Sequence, residues 1–255
     1  MPSALMPQLP DERLPELLDL LKGSDSVELK LTVPEDYGRS AAVALGVDPL
    51  EAQVRQVFFF DTPDLALDSA GVVVRARRAQ RARPDTVVKL RPVVPGELSA
   101  KRRRHQGFKV ELDAMPGGFV CSASFKGRTD ADVRKVAAGD GRLSRLFSKE
   151  QRRFYRDHAP EGIALDDLTT LGPLMVLKLR YTPKGFERPL TVELWTYPDG
   201  TRILELSTKT TPPEALQTVA EARAFLLEKG VPLHGEQQTK TRTALEFFSR
   251  ELAAT

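Results

Sequence analysis

Arginine and lysine recur at alternate positions from Val72 to Arg91, VVVRARRAQRARPDTVVKLR, inside runs that otherwise read as buried strand. In Val73, Arg75, Arg77 and again in Val87, Lys89, Arg91, a period of two places the cations on one face and Val74, Ala76, Val88 and Leu90 on the other. A half-solvated surface hairpin alternates in the same way, so these two strands alone are compatible with a plain wet face. The same alternation recurs along the chain, however, and elsewhere its polar face carries acids too. Ser26, Glu28, Lys30 and Thr32 oppose Val27, Leu29, Leu31 and Val33, and Lys178 and Arg180 oppose Leu177, Leu179 and Tyr181. Glu205, Ser207 and Lys209 oppose Leu204 and Leu206, and Lys109, Glu111 and Asp113 share one face of a further strand. Such strands can close into a barrel with the charged face inside, around a hydrated channel, and helices over the apolar outside. A charged interior calls for a charged guest.

Carboxylates and cations on facing strands suit phosphoryl and nucleotidyl transfer. That chemistry asks the protein mainly to neutralise dispersed negative charge and to align the nucleophile. Arginines fork onto phosphate oxygens, lysines act as point charges, and hard divalent ions bridge carboxylates to a polyphosphate. Glu28 beside Lys30, and Glu205 near Lys209, bring both functions to single strands. Other constellations are absent: the sequence has no Gly-rich loop ending in Lys-Ser/Thr, no G-x-S-x-G, no H-E-x-x-H and no paired C-x-x-C. His105, His158 and His234 fall in loops or at helix ends and read as solvated, and Trp195 reads as a packing residue. The Lys101–Arg104 run reads as a solvated loop, because no aromatic platform for bases accompanies it.

The elements that must position these residues follow from punctuation and periodicity. A short amphipathic helix is expected from Glu12 to Leu21, closed by Gly23, after a Pro-rich and loose stretch at residues 1–11. Strands are expected at Ser26–Val33, Val54–Phe60, the basic hairpin and Phe108–Asp113, with a small helix near Ser40–Leu45. Pro116-Gly-Gly118 ends the fifth strand, and a helical region follows from Asp130 to His158, with Ser148 and Gln151 forming a capping box. Three more strands are expected at Leu174–Thr182, Leu190–Tyr197 and Thr201–Lys209, the last two joined through Pro198-Asp-Gly200. Thr211, Pro212 and Glu214 open a helix that stops at Gly230, and a last helix runs from Thr239 to Leu252. The 255 residues, 41% hydrophobic and 29% charged, fit a single barrel domain with residues 212–252 packed on it as helices. A net charge of +3 argues only weakly for a polyanion, so local sorting of charge matters more. The single cysteine, Cys121, fits a reducing compartment. No signal-like segment or membrane-length apolar run is seen, and a cytoplasmic protein is expected.

Ser26-Val-Glu28-Leu-Lys30 resembles the first-strand E-x-E-x-K signature of the CYTH domain, or triphosphate tunnel metalloenzyme superfamily. Phe59-Phe60-Asp61-Thr62-Pro63-Asp64 with Leu67, Gly71, Arg75 and Arg77 resembles its Y-F-D-T-x-x-x-x-L-x-x-x-G-x-x-L-R-x-R segment, and Thr86–Arg91 its following T-x-K-x strand. Glu205 falls where the late acidic strand is expected, and Lys240 sits in a final helix of similar placement. The resemblance runs from about Ser26 to Phe248. It implies an α+β fold: a closed antiparallel eight-stranded β-barrel, the triphosphate tunnel, with helices packed outside. It also implies a triphosphate bound with Mg²⁺ or Mn²⁺, in a family whose activities include inorganic triphosphatase, thiamine triphosphatase, RNA 5′-triphosphatase and class IV adenylyl cyclase. Two positions depart from the pattern. Ser26 replaces the first Glu, and Ser207 follows Glu205 where a second acid is expected, so Glu111, Asp113 or Glu193 is left to supply the missing ligand.

The expected function is divalent-metal-dependent hydrolysis of an inorganic or organic triphosphate. Arg75, Arg77, Lys89, Arg91, Lys178 and Arg180 would cradle its oxygens, and Lys30 and Lys209 would hold one terminus. Glu28 and Lys30 are the expected catalytic pair, and Glu28, Glu111, Glu193 and Glu205 the metal ligands. Two alternatives remain: a class IV-type adenylyl cyclase, and a non-catalytic module that binds polyphosphate or a phosphorylated ligand. Duplex nucleic acid is disfavoured, since it could not enter a charged interior.

Overall fold

The computed structural model describes residues 14–234, 237 and 240–253. The loose stretch at residues 1–11, the first two residues of the expected opening helix and Thr239 lie outside the described residues. Nine strands close into one barrel: β1 (Ser26–Val33), β2 (Gln53–Asp61), β3 (Val72–Ala79), β4 (Ala82–Leu90), β5 (Phe108–Met115), β6 (Gly118–Arg128), β7 (Thr169–Tyr181), β8 (Leu190–Thr196) and β9 (Arg202–Thr210). The order around the ring is β1-β5-β6-β4-β3-β2-β7-β8-β9, and β9 pairs back onto β1. The helices are α1 (Leu14–Gly23), α2 (Gly38–Ala44), α3 (Ala66–Ser69), α4 (Ala100–Arg103), α5 (Val133–Ala137), α6 (Lys149–Arg156), α7 (Ala215–Glu228) and α8 (Lys240–Ala253).

The barrel corrects the expectation of eight antiparallel strands. The ninth strand is β6, whose outward Cys121, Ala123 and Phe125 alternate with Ser122, Ser124 and Lys126. Small and hydroxyl-bearing residues give that alternation little apolar contrast, so it does not stand out in the sequence. The strand count has a further consequence. A closed ring with an odd number of strands cannot alternate direction all the way round, so at least one neighbouring pair must be parallel. That pair is β1 and β5, with Ser26 opposite Glu111 and Glu28 opposite Asp113. Parallel neighbours need a long crossover, and the intervening three strands and their connections supply it.

The faces sort as the alternation predicts. Val74, Ala76 and Val88 point outward and are at most 1% exposed, packed in one core with Phe108, Phe125 and Phe154 under α6. The Ser148 capping box opens α6, and the Gln151 side chain is fully buried. Its Nε2 donates to the Thr86 and Phe125 carbonyls, at 3.0 Å each, which ties α6 to β4 and β6. Within the expected Asp130–His158 helical region, helix is confined to α5, a 3-10 turn at Leu143–Leu146 and α6. The basic loop is structural: Arg102 pairs with Asp157 and lies over the Phe154 ring, and Arg103 donates to the Gly23 carbonyl. His158 is correspondingly half-buried against Arg102, not solvated. At the end of the chain, Ala244 and Leu245 of α8 pack on the inward-pointing Val57, Phe59, Val176 and Trp195, so α8 covers one end of the barrel. No helix among the described residues is long and apolar enough to cross a membrane.

Candidate active site: a charged cavity inside the barrel

The barrel encloses a cavity of about 1090 Å³. The expected site residues line it except Arg180 and Asp113, the latter fully buried in the wall. Arg180 is the penultimate residue of β7 and is exposed there, outside the cavity wall.

The turn before β3 sets the position of the arginines. Asp61 is buried, and its carboxylate accepts from the backbone N–H of Thr62, Leu67 and Asp68 at 2.7, 2.8 and 3.0 Å. This folds the chain tightly around α3, with Leu67 fully buried. Gly71 then has φ +73°, and a Cβ there would lie 2.5 Å from the Arg91 carbonyl oxygen, so a side chain is excluded on both counts. The Arg91 N–H donates to the Gly71 carbonyl at 2.8 Å, which starts the β3–β4 ladder. Val73 therefore faces Lys89, Arg75 faces Val87 and Arg77 faces Asp85.

On this wall, Arg77 pairs with Asp85 at 2.8 Å and Arg55 Nε donates to Gln53 at 2.8 Å. Arg75 differs: among the described residues it makes no hydrogen bond or ion pair, and its Nε is buried. Burial, reinforced by neighbouring Arg77, pushes its guanidinium down to about 10. Lys126 of β6 sits next to this row, opposite Val87.

The facing wall is built from paired charges. Asp113 is fully buried and lies 2.8 Å from Lys30, 3.5 Å from Lys89 and 3.8 Å from Arg91. Burial alone would raise its carboxyl, but Lys89, Lys30 and Arg91 outweigh burial and hold it well below the usual carboxylate range. Lys30 shows the converse. Burial pulls its ammonium down, yet Asp113, Glu28 and Glu205 hold it above the ordinary lysine value. Lys30 also pairs with Glu28 at 3.2 Å, and Lys209 pairs with Glu111. The two serines at the departing positions donate to the acids that remain, Ser26 to Glu111 and Ser207 to Glu28, both at 3.3 Å. A second acidic group sits nearer α8. Lys240 contacts Glu193, approaches Glu205 to 2.6 Å and lies over the Trp195 ring at 5.0 Å, while Lys178 holds Glu193 at 2.8 Å. Burial opposes ionisation of Glu193, but Lys240 and Lys178 prevail and keep its carboxyl well below its ordinary value.

The four expected metal ligands thus fall into two places. Glu28 and Glu111 join Asp113, with one oxygen of each within 4.8 Å of the others, and Glu193 and Glu205 form the Lys240-bridged pair. The donor chemistry of the first group, three carboxylates, fits a hard divalent ion such as Mg²⁺ or Mn²⁺. Arg55, Asp85 and Lys126 line the cavity as well, and sequence reasoning did not place them in the site; Lys240, noted there only for its place in the final helix, lines it too. Lys126 and Arg128 do carry a signal, a period of two across Ser122 and Ser124. The inward aim of Lys240 has no signature in a helical sequence.

No family model matches the sequence, and no curated protein matches it. The fold, however, resembles solved structures. A candidate adenylyl cyclase from Hippeastrum, described as revealing a dominant triphosphatase activity, superimposes with a TM-score of 0.60 at 20% identity, over 86% of this chain and 95% of the other. A candidate adenylate cyclase from Bacillus halodurans superimposes with a TM-score of 0.59 at 15% identity, over 86% and 97%. Together with the closed barrel, these similarities give the chain the fold of those two structures.

Proposed function

We propose that the protein binds a linear triphosphate, inorganic or carrying an organic group, in the barrel cavity and hydrolyses it with a divalent metal. Arg75 carries this reading. A guanidinium whose Nε is buried without a partner is costly to maintain, and an anion in the cavity would complete it. Arg77 and Lys126 extend the same cationic wall, and Lys89 and Arg91 lie across Asp113 from Lys30. The wall would neutralise the phosphoryl oxygens and align the chain for in-line attack. Glu28, Glu111 and Asp113 would hold the metal. A divalent ion there would supply charge neutralisation and a more acidic water. The triphosphatase activity described for the Hippeastrum structure supports the reaction class.

Trp195 bears on the cyclase alternative. It is 3% exposed, with Phe59 stacked at 6.5 Å between ring centroids and Lys240 over its ring. Stacking an adenine on it would compete with these two contacts, which weighs against a cyclase that reads the base at Trp195. The test is phosphate release from tripolyphosphate, ATP and thiamine triphosphate with Mg²⁺ or Mn²⁺, comparing wild type with Glu28→Gln and Arg75→Met and assaying the ATP reaction for cyclic AMP. Metal-dependent release that falls in both variants is expected. Tripolyphosphate binding without turnover would make the protein a binding module, and cyclic AMP would make it a cyclase.

A further inference from the structure

The acids that would hold a metal already hold lysines, and these lysines are not equally free to leave. Lys209 contacts Glu111 and lies 3.9 Å from Glu28, two members of the three-carboxylate group. An ammonium seated on those oxygens repels a divalent ion and takes up lone pairs the ion would use. The Lys209 side chain is 48% exposed, against 17% for Lys30 and 16% for Lys240. Solvent screens Lys209 more than the other two, so of the three it is the cation most easily moved. Lys30 is pinned between Glu28 and fully buried Asp113, and Lys240 is fixed by α8, two carboxylates and the Trp195 ring.

We infer that Lys209 is a displaceable counter-ion that occupies the Glu28–Glu111–Asp113 site until a triphosphate draws it away, so that metal and triphosphate bind cooperatively. This rests on the triphosphate reading above. Lys209 lines the same cavity as Arg75 and Lys126, so a triphosphate lying along those cations offers its ammonium new oxygens in place of the carboxylates. Moving Lys209 frees Glu111 and removes one of the two ammonium groups from Glu28, while Lys30 stays on Glu28 and Asp113. Ser26 and Ser207 remain as neutral donors that do not repel a cation. The Glu193–Glu205 pair stays closed by Lys240, so a single metal site is expected. Coupling between the ligands is reciprocal: the factor by which triphosphate tightens metal is the factor by which metal tightens triphosphate.

The experiment measures Mn²⁺ binding by electron paramagnetic resonance and by calorimetry, in wild type and Lys209→Met, with and without a non-hydrolysable imido analogue of tripolyphosphate. Without analogue, Lys209→Met is expected to bind Mn²⁺ about fivefold more tightly than wild type or better, the lower end of typical site coupling. The analogue is expected to tighten Mn²⁺ by a similar factor in wild type and by much less in the variant. The wild-type arm needs no variant and so reads the coupling even if Lys209→Met folds poorly. Equal Mn²⁺ affinity in the two proteins, or no tightening of wild type by a bound analogue, would overturn the inference and leave the functional reading intact. An analogue that binds neither protein, with or without Mn²⁺, would overturn the functional reading and the coupling built on it.

Discussion

The two walls of the cavity carry charge in opposite ways. Around β5, β1, β9 and β8, each acid described above carries a lysine or arginine, with Asp113 alone drawing three cations. On β3, Arg75 has no counter-ion among the described residues. The first wall can fold without a guest, because its charges compensate one another. The second bears a desolvated charge that no described residue pairs with. Stability and ligand affinity should therefore respond differently to substitutions on the two sides.

The largest effect is expected at Asp113→Asn, which strands Lys30, Lys89 and Arg91 without their shared acid. Breaking a buried pair from one side costs about 3 to 5 kcal/mol, to be read from denaturant unfolding. Arg75→Met should do the reverse, leaving stability equal or raised while tripolyphosphate affinity in calorimetry falls about tenfold to 150-fold, the range for charge-assisted bonds worth about 1.5 to 3 kcal/mol. A loss of stability comparable to that of Asp113→Asn would break the contrast between the walls.

Two smaller effects sharpen it by pH. The Asp113 carboxyl is lower in the folded than in the unfolded chain, so its contribution is full above the ordinary value near about 3.9 and is lost as pH falls below it. Asparagine at that position should flatten the acid limb of the stability curve. Arg75 titrates near 10 in the free protein, and a bound anion raises it. Tripolyphosphate binding should accordingly weaken as pH rises through about 10, with proton uptake on binding visible as a dependence of the measured heat on the buffer. The smallest effect is expected at Arg180→Ala. An exposed side chain outside the cavity should change stability by less than about 0.5 kcal/mol and leave binding unchanged.

Much of the site was legible because a strand's period of two is local. Glu28 and Lys30, Arg75 and Arg77, and Lys89 and Arg91 each announce a shared face within a few residues, and all of them line the cavity. Gly71 and Asp61 were legible only as parts of a resemblance. Their reasons, a close approach to Arg91 and a buried turn, are visible only in three dimensions. Strand β6 escaped because serine, alanine and glycine give weak contrast, and with it went Lys126, the strand count and the parallel pairing of β1 with β5. Arg180 misled for the converse reason: periodicity places a residue on a face and is silent on where the barrel rim ends.

By itself the sequence determined which side chains share a face, because alternation is a property of the extended backbone; ring closure decided that the charged face is the inner one. Tertiary structure decided which charges are neutralised. Lys30 meets Asp113, Lys209 meets Glu111 and Lys240 meets Glu193 across separations of 83, 98 and 47 residues, counted as 113 − 30, 209 − 111 and 240 − 193. Those meetings depend on register, on ring closure and on where α8 comes to rest, none of which a local period encodes. Arg75 has the same charge and spacing as its neighbours in the sequence, and only closure of the barrel left it facing the cavity without a partner.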